Sequence, residues 1–266
     1  MFDPGERLSK LVQMRASTDI RLRTGWIFSA TASYIVWTTL AVLFFTGLLQ
    51  RIPSFTIPVV LGSIFFDATT LLSLLGICAS TGLAYLVFRV VDRQNKHALR
   101  IREIFSESLR RIESETRPGQ LNVLLPLNSA EQDFSALLQN THERSAILWA
   151  MLVLIPYLGW LFFIITLYHL SEESNVHERM ERLLLEDLDR ILGATGSQRI
   201  PVETHYLPSR SSTGFLLASL FTIGIGSIFW LYEMISSPNR HFGYHSDFEP
   251  NLLAAFARSQ VARSGT

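Results

Sequence analysis

From Trp26 to Leu49 the chain runs 24 residues without an Asp, Glu, Lys or Arg. As a helix this stretch is about 36 Å long, more than the ~30 Å hydrocarbon core of a bilayer. It predicts a membrane-spanning helix, and three further apolar segments follow at Ala68–Val91, Ile147–Tyr168 and Gly214–Ile235. The chain has 266 residues and is 48% hydrophobic. Its apolar residues gather in these blocks instead of recurring with the period of a surface helix. The expected fold class is therefore all-α: a polytopic membrane protein with four transmembrane helices and interfacial or cytoplasmic amphipathic helices. The third segment is broken by Pro156-Tyr-Leu-Gly159. In lipid the backbone group freed by a proline needs a neighbour, so this point is either a kink or the tip of a re-entrant hairpin. The alternative architecture has the third and fourth segments re-entrant.

Charge divides the rest of the chain. Residues 1–25 form a basic N-terminal segment, with Arg7, Lys10, Arg15, Arg21 and Arg23 among aliphatic residues, and predict a short interfacial helix. A cleavable signal is not expected, because the apolar run that follows is too long for one. Residues 26–92 hold the first two spans, joined by the 50–67 loop. Seven cations between Arg93 and Arg117 mark a cytoplasmic helical region, 93–146. Within it Ile101, Ile104, Phe105, Leu109 and Ile112 give an amphipathic helix over about 96–114, and Ser129 with Gln132 resembles a capping box opening another. Residues 147–212 add the third segment, an amphipathic helix over 176–192 and a polar linker. Residues 213–266 hold the fourth segment and a tail with a short helix near 251–258. Both termini are expected in the cytoplasm of a prokaryotic cell with the protein in its inner membrane.

Composition removes several classes of function. The formal net charge is zero, so no global field argues for nucleic acid as a partner. The single cysteine, Cys78, excludes an internal disulfide and any cysteine-rich metal site, and inside an apolar run it is expected to be a small buried residue. Two ridges of small residues at four-residue spacing, Gly76/Ser80/Ala84 and Ala218/Thr222/Gly226, let helix backbones approach each other. The expected partners are the lipid bilayer and either further copies of the chain or other membrane subunits.

The ends of the second, third and fourth segments repeat one pattern: Phe88 to Asn95-x-His97, Tyr168 to Asn175-x-His177 and Tyr232 to Asn239-x-His241, with equal spacing. A further copy, Asn140-Thr-His142-Glu143-Arg144, matches Asn175-Val-His177-Glu178-Arg179 at four of five positions. Composition predicts roughly 0.2 chance Asn-x-His matches, so four is a repeat signal. The stretch Thr222-Ile-Gly224-Ile-Gly226-Ser-Ile-Phe229-Trp230-Leu-Tyr232 resembles the T-x-G-I-Y-x-I-Y-W-L-Y helix of a prokaryotic membrane domain-of-unknown-function family, number four-two-three-four, over about residues 210–245. Gly226 stands where that family has tyrosine. The resemblance implies a membrane location and helical hairpins, and no activity.

Asn is a preferred N-cap, and Glu143 and Glu178 fall three residues after their asparagines, so Asn95, Asn140, Asn175 and Asn239 are read as helix caps that turn the chain from the membrane into interfacial helices. The competing reading is that some of His97, His142, His177 and His241 converge on a metal or an anionic headgroup. Along a continuous third span His142 and His177 lie ~50 Å apart, which a re-entrant segment would undo. His241 and His245 are four apart, with Asp247 and Glu249 following, but Gly243 weakens a shared helix face. No cofactor and no metal are expected, and no catalytic motif stands out: no glycine-rich phosphate loop, no HExxH, no paired carboxylates. The expected function is a non-enzymatic scaffold or accessory subunit of a membrane complex, with a channel or transporter for ions or small solutes as the alternative.

Overall fold

Helices in this chain run further than their sequence patterns suggest. The structure, a computed structural model, describes residues 4–45, 68–116, 120–155, 158–195, 200 and 211–264, and all regular structure among them is helical. In order the elements are α1 (Pro4–Gln13), α2 (Arg15–Thr18), α3 (Ile27–Phe45), α4 (Ala68–Glu115), α5 (Leu121–Asn140), α6 (Ala146–Val153), α7 (Gly159–Ala194), α8 (Ser212–Phe221) and α9 (Ile225–Ser264). The second apolar segment and the 96–114 amphipathic helix are one rod, α4, because no Gly or Pro interrupts residues 84–115. At 48 residues it is about 72 Å long. The 176–192 helix likewise continues the third segment as α7, and the tail helix continues the fourth as α9. Ser129 lies inside α5, so its capping box opens no helix.

The third and fourth apolar segments are not single straight helices. Each folds back on itself, which is the alternative architecture of the sequence. Trp149 of α6 and His169 of α7 have ring centroids 6.0 Å apart, where a straight helix would separate them by about 30 Å. Arg144 donates to Glu173 at 2.7 Å across the same hairpin. In the fourth segment Phe215 of α8 stacks on Trp230 of α9 at 5.6 Å. Its turn is made by Ile223 and Gly224, at φ 53° and 97°, left-handed values that glycine accepts and that strain isoleucine. With α3 and α4, which meet through Trp26–Tyr85 (5.3 Å) and Ser33–Ser80 (3.5 Å), the chain makes three helical hairpins.

None of the four asparagines caps a helix start. Asn95, Asn175 and Asn239 lie inside α4, α7 and α9, and Asn140 ends α5. Two of them instead hold the chain ahead of another hairpin. Asn95 donates to the Arg144 carbonyl (2.7 Å) and accepts from its N–H (3.4 Å), before α6. Asn239 does the same with Leu22, at 2.8 and 3.1 Å, before α3. An amide carries one donor group and one acceptor, so a single side chain satisfies both backbone groups of a residue that no helix pairs.

Burial separates two ends. At the hairpin end Leu83, Leu86, Val87, Val90, Phe163, Leu167, Trp230 and Met234 pack together. At the other end the second halves of α4, α7 and α9 pack with α1 and α5 through Ile104, Phe105, Leu184, Leu188, Phe248 and Leu252. Leu8 and Leu11 of α1 are buried in this second core, so the N-terminal helix docks on protein instead of presenting its aliphatic side to headgroups. The first small-residue ridge turns inward, where a Cβ on Gly76 would sit 3.1 Å from the Trp37 ring; of the second only Gly226 does, where one would sit 2.7 Å from the Ala218 backbone within the same hairpin. Ala84 is buried and Ser80 accepts from the Trp37 indole, while Ala218 and Thr222 are exposed. Thr222 accepts from the Gly226 N–H at 2.7 Å and so closes the turn. Cys78 is exposed, against the expected burial. The 50–67 loop and most of the 196–213 linker lie outside the described residues.

Candidate metal centre

Where the two ends meet, α4, α7 and α9 bring their repeats together. His97 comes from α4, Glu181 from α7, and His241 and His245 from α9. One ligand atom from each of these four residues lies within 4.8 Å of the other three. The closest separations are His245 Nε2 to Glu181 Oε1, 2.8 Å, His241 Nε2 to Glu181 Oε2, 3.1 Å, and His241 Nε2 to His245 Nε2, 3.2 Å. Ligands about 2.05 Å from a tetrahedral ion stand about 3.3 Å from one another, so these edges fit a first-row divalent ion. Gly243 leaves α9 continuous, and the four-residue spacing therefore sets His241 and His245 on one face.

The outer nitrogens are held by carboxylates. His97 Nδ1 lies 3.0 Å from Asp19, and His245 Nδ1 lies 3.1 Å from Glu249. Arg100 joins the two carboxylates, at 2.6 Å to Asp19 and 2.7 Å to Glu249. The Asp19 hydrogen bond on His97 Nδ1 places that ring's proton there and so leaves its Nε2 lone pair free. Arg15 adds a bond to the His245 carbonyl at 3.1 Å. The N-terminal segment thus closes the site through Asp19 and Arg15.

All these groups lie beyond the apolar segments, and their protonation follows from burial and neighbours. Burial pushes His97 well below its ordinary value, and pushes His177 to about 4, so both are neutral. For His245 burial works the same way, but the charges and hydrogen bonds of Glu181 and Glu249 outweigh it and raise the pKa to about 9. Burial opposes ionisation of Glu181 and Asp19. The histidines around Glu181 nevertheless hold it well below the carboxylate range, and the His97 bond with the charges of His97 and Arg100 holds Asp19 at about 2. Glu181 thus faces a protonated His245, whose proton must leave before the ring can ligate a divalent ion.

Three of the five candidate histidines, His97, His241 and His245, are therefore in the set. His177 lies beside it, with Nε2 3.6 Å from Glu181 Oε2. His142 is exposed and, with Asn140, lines a cavity of about 70 Å³ that reaches His97, His177 and His241. The sequence reading missed Glu181, Asp19 and Arg100. Glu181 was within reach, because it follows His177 by four residues as His245 follows His241. Asp19 carried no signal, since only tertiary packing brings it to α4. No known family model, curated protein or solved structure matches this chain.

Proposed function

We propose that this chain is an integral membrane protein of three helical hairpins that binds one divalent transition-metal ion, of the zinc class, where the hairpins enter their polar bundle. The observation that carries the metal is the convergence of His97, His241 and His245 on Glu181, with carboxylates behind two of the three rings. Three nitrogens and one oxygen, with no thiolate, suit zinc or a neighbouring divalent ion. His97 Nε2 supports it further: the ring is 4% exposed, and this nitrogen has no hydrogen-bond partner among the described residues. A buried polar atom left so costs about 1–3 kcal/mol, which a bound ion removes.

Membrane insertion of the hairpin end rests on what that end exposes. Phe28 (80%), Phe221 (84%), Ile223 (79%) and Phe229 (67%) face outward, with Ile147, Leu148 and Met151 beside them. Among the described residues one helix, Leu74–Glu115, is long and apolar enough to cross a membrane, with mean hydropathy 1.8 in its apolar window. Its spanning part is residues 74–91, and the metal centre lies beyond it.

The test is elemental analysis of the full chain purified in detergent and equilibrated with zinc. About one zinc per chain is expected, falling below about a tenth in Glu181→Gln and His245→Ala, with His142→Ala unchanged. Helicity measured on the same samples separates lost ligands from lost fold. Wild-type protein that keeps no zinc after dialysis refutes the reading.

A further inference from the structure

The proposed ion leaves one buried imidazole unexplained. His177 occupies the same place in its repeat as His97 and His241, yet it is not one of the four mutually close ligands. Its ring centroid lies 5.6 Å from His97 and 6.5 Å from His241, against 5.1 Å between those two. Both of its nitrogens are buried and lack a hydrogen-bond partner among the described residues; the Glu181 oxygen 3.6 Å away is beyond hydrogen-bond distance. A folded protein seldom keeps two such atoms on one ring.

The cavity supplies the missing partner. It is about 70 Å³, ample for ordered water, and is lined by His97, His177 and His241 on the inside and by exposed His142 at its rim. A ligand bound to the ion next to Glu181 Oε2 would stand about 3 Å from that oxygen. His177 Nε2 is 3.6 Å from the same oxygen, so a ligand on that side of the ion can come within hydrogen-bond reach of it. Three histidines and one carboxylate leave a divalent ion with a net charge of about +1, so a small anion can replace a water there.

We propose that the cavity holds an exchangeable fifth ligand of the metal, a water or hydroxide that small anions can displace, and that His177 is its hydrogen-bonding partner and not a metal ligand. The inference rests on the metal reading above. It makes the centre an open site, reached from the polar side past His142, where four protein ligands alone would have made a closed one.

Cobalt(II) in place of zinc gives a visible spectrum that reports coordination. The full chain in detergent is loaded with cobalt and titrated with azide. The expected result is a saturable change in the cobalt bands, with azide affinity about tenfold weaker in His177→Ala, partly recovered in His177→Gln, and the cobalt stoichiometry of both variants unchanged. Cobalt bound one to one with a spectrum that ignores azide overturns the open site and leaves the metal reading standing. A changed spectrum or stoichiometry in His177→Gln before azide is added makes His177 a ligand, which also overturns the proposal. Wild-type protein that takes up neither cobalt nor zinc ends both readings.

Discussion

His245 is the residue on which charge and metal compete. Its pKa is raised from 6.5 to about 9 by Glu181 and Glu249, with His241 and His97 as its imidazole neighbours and Arg15 on its carbonyl. In metal-free protein its proton therefore stabilises the fold fully below pH 6.5, and that contribution disappears as pH rises through about 9. His177 and Asp19 act in the opposite direction. The stability tied to neutral His177 is complete above 6.5 and lost as pH falls through about 4, and that of Asp19 is complete above 3.8 and lost toward about 2. The thermal midpoint of the stripped protein is expected to peak near pH 6.5. A titration of that midpoint checks it: in His245→Gln the alkaline decline shrinks, and an identical decline in the variant contradicts the assignment. Zinc must displace the same proton, so zinc affinity is expected to rise about tenfold per pH unit between 6.5 and 9.

At the scale of elements the hairpin turns and the asparagine clamps are the sensitive points. A Cβ on Gly159 would run into the Val153 carbonyl, and one on Gly226 would crowd the Ala218 backbone, so neither neighbour can rotate away. Gly159→Ala and Gly226→Ala are each expected to cost about 1–3 kcal/mol by overpacking, read as a lower thermal midpoint in detergent. A wild-type midpoint in both would mean the hairpins close differently. Asn95→Ala and Asn239→Ala leave both backbone groups of Arg144 and Leu22 without their side-chain partner, at an expected cost of about 1–3 kcal/mol each. Asn239 also accepts from the buried Arg93 at 3.0 Å, so its loss is expected to be the larger. Had the asparagines been N-caps, alanine would have frayed one helix locally; as clamps they join hairpins, and their loss loosens the contact between two. Hydrogen exchange on residues 20–24 and 142–146 distinguishes the two outcomes.

For the whole molecule the question is which surfaces share a side of the membrane. Glu143 is exposed and precedes α6, while Arg190 is exposed near the end of α7. Folding of the third segment into a hairpin puts both at the polar end. In a Cys78→Ala background, Glu143→Cys and Arg190→Cys are therefore expected to react alike with an impermeant thiol reagent in intact cells, whereas one straight span would place them on opposite sides. Labelling of one and protection of the other contradicts three hairpins.

Much of this was legible in the chain itself, and for a physical reason. Apolar blocks, breakers and four-residue spacings are local properties, so they determined the helices, the break at Pro156-Tyr-Leu-Gly159 and the recurrence of Asn-x-His. The mistaken caps at Asn95 and Asn239 share one cause: an asparagine that satisfies a backbone N–H looks the same in sequence whether that N–H is its own helix's or belongs to a residue 49 or 217 positions away. Glu181 could have been read from the repeat, as Glu249 could from its place four residues after His245; Asp19 and Arg100 could not. Only the tertiary structure decided that the hairpins fold back, and with that fold His97, Glu181, His241 and His245 come to a single point. Sequence spacing determines which side chains share a helix face, but which faces meet depends on long-range packing that no local pattern encodes.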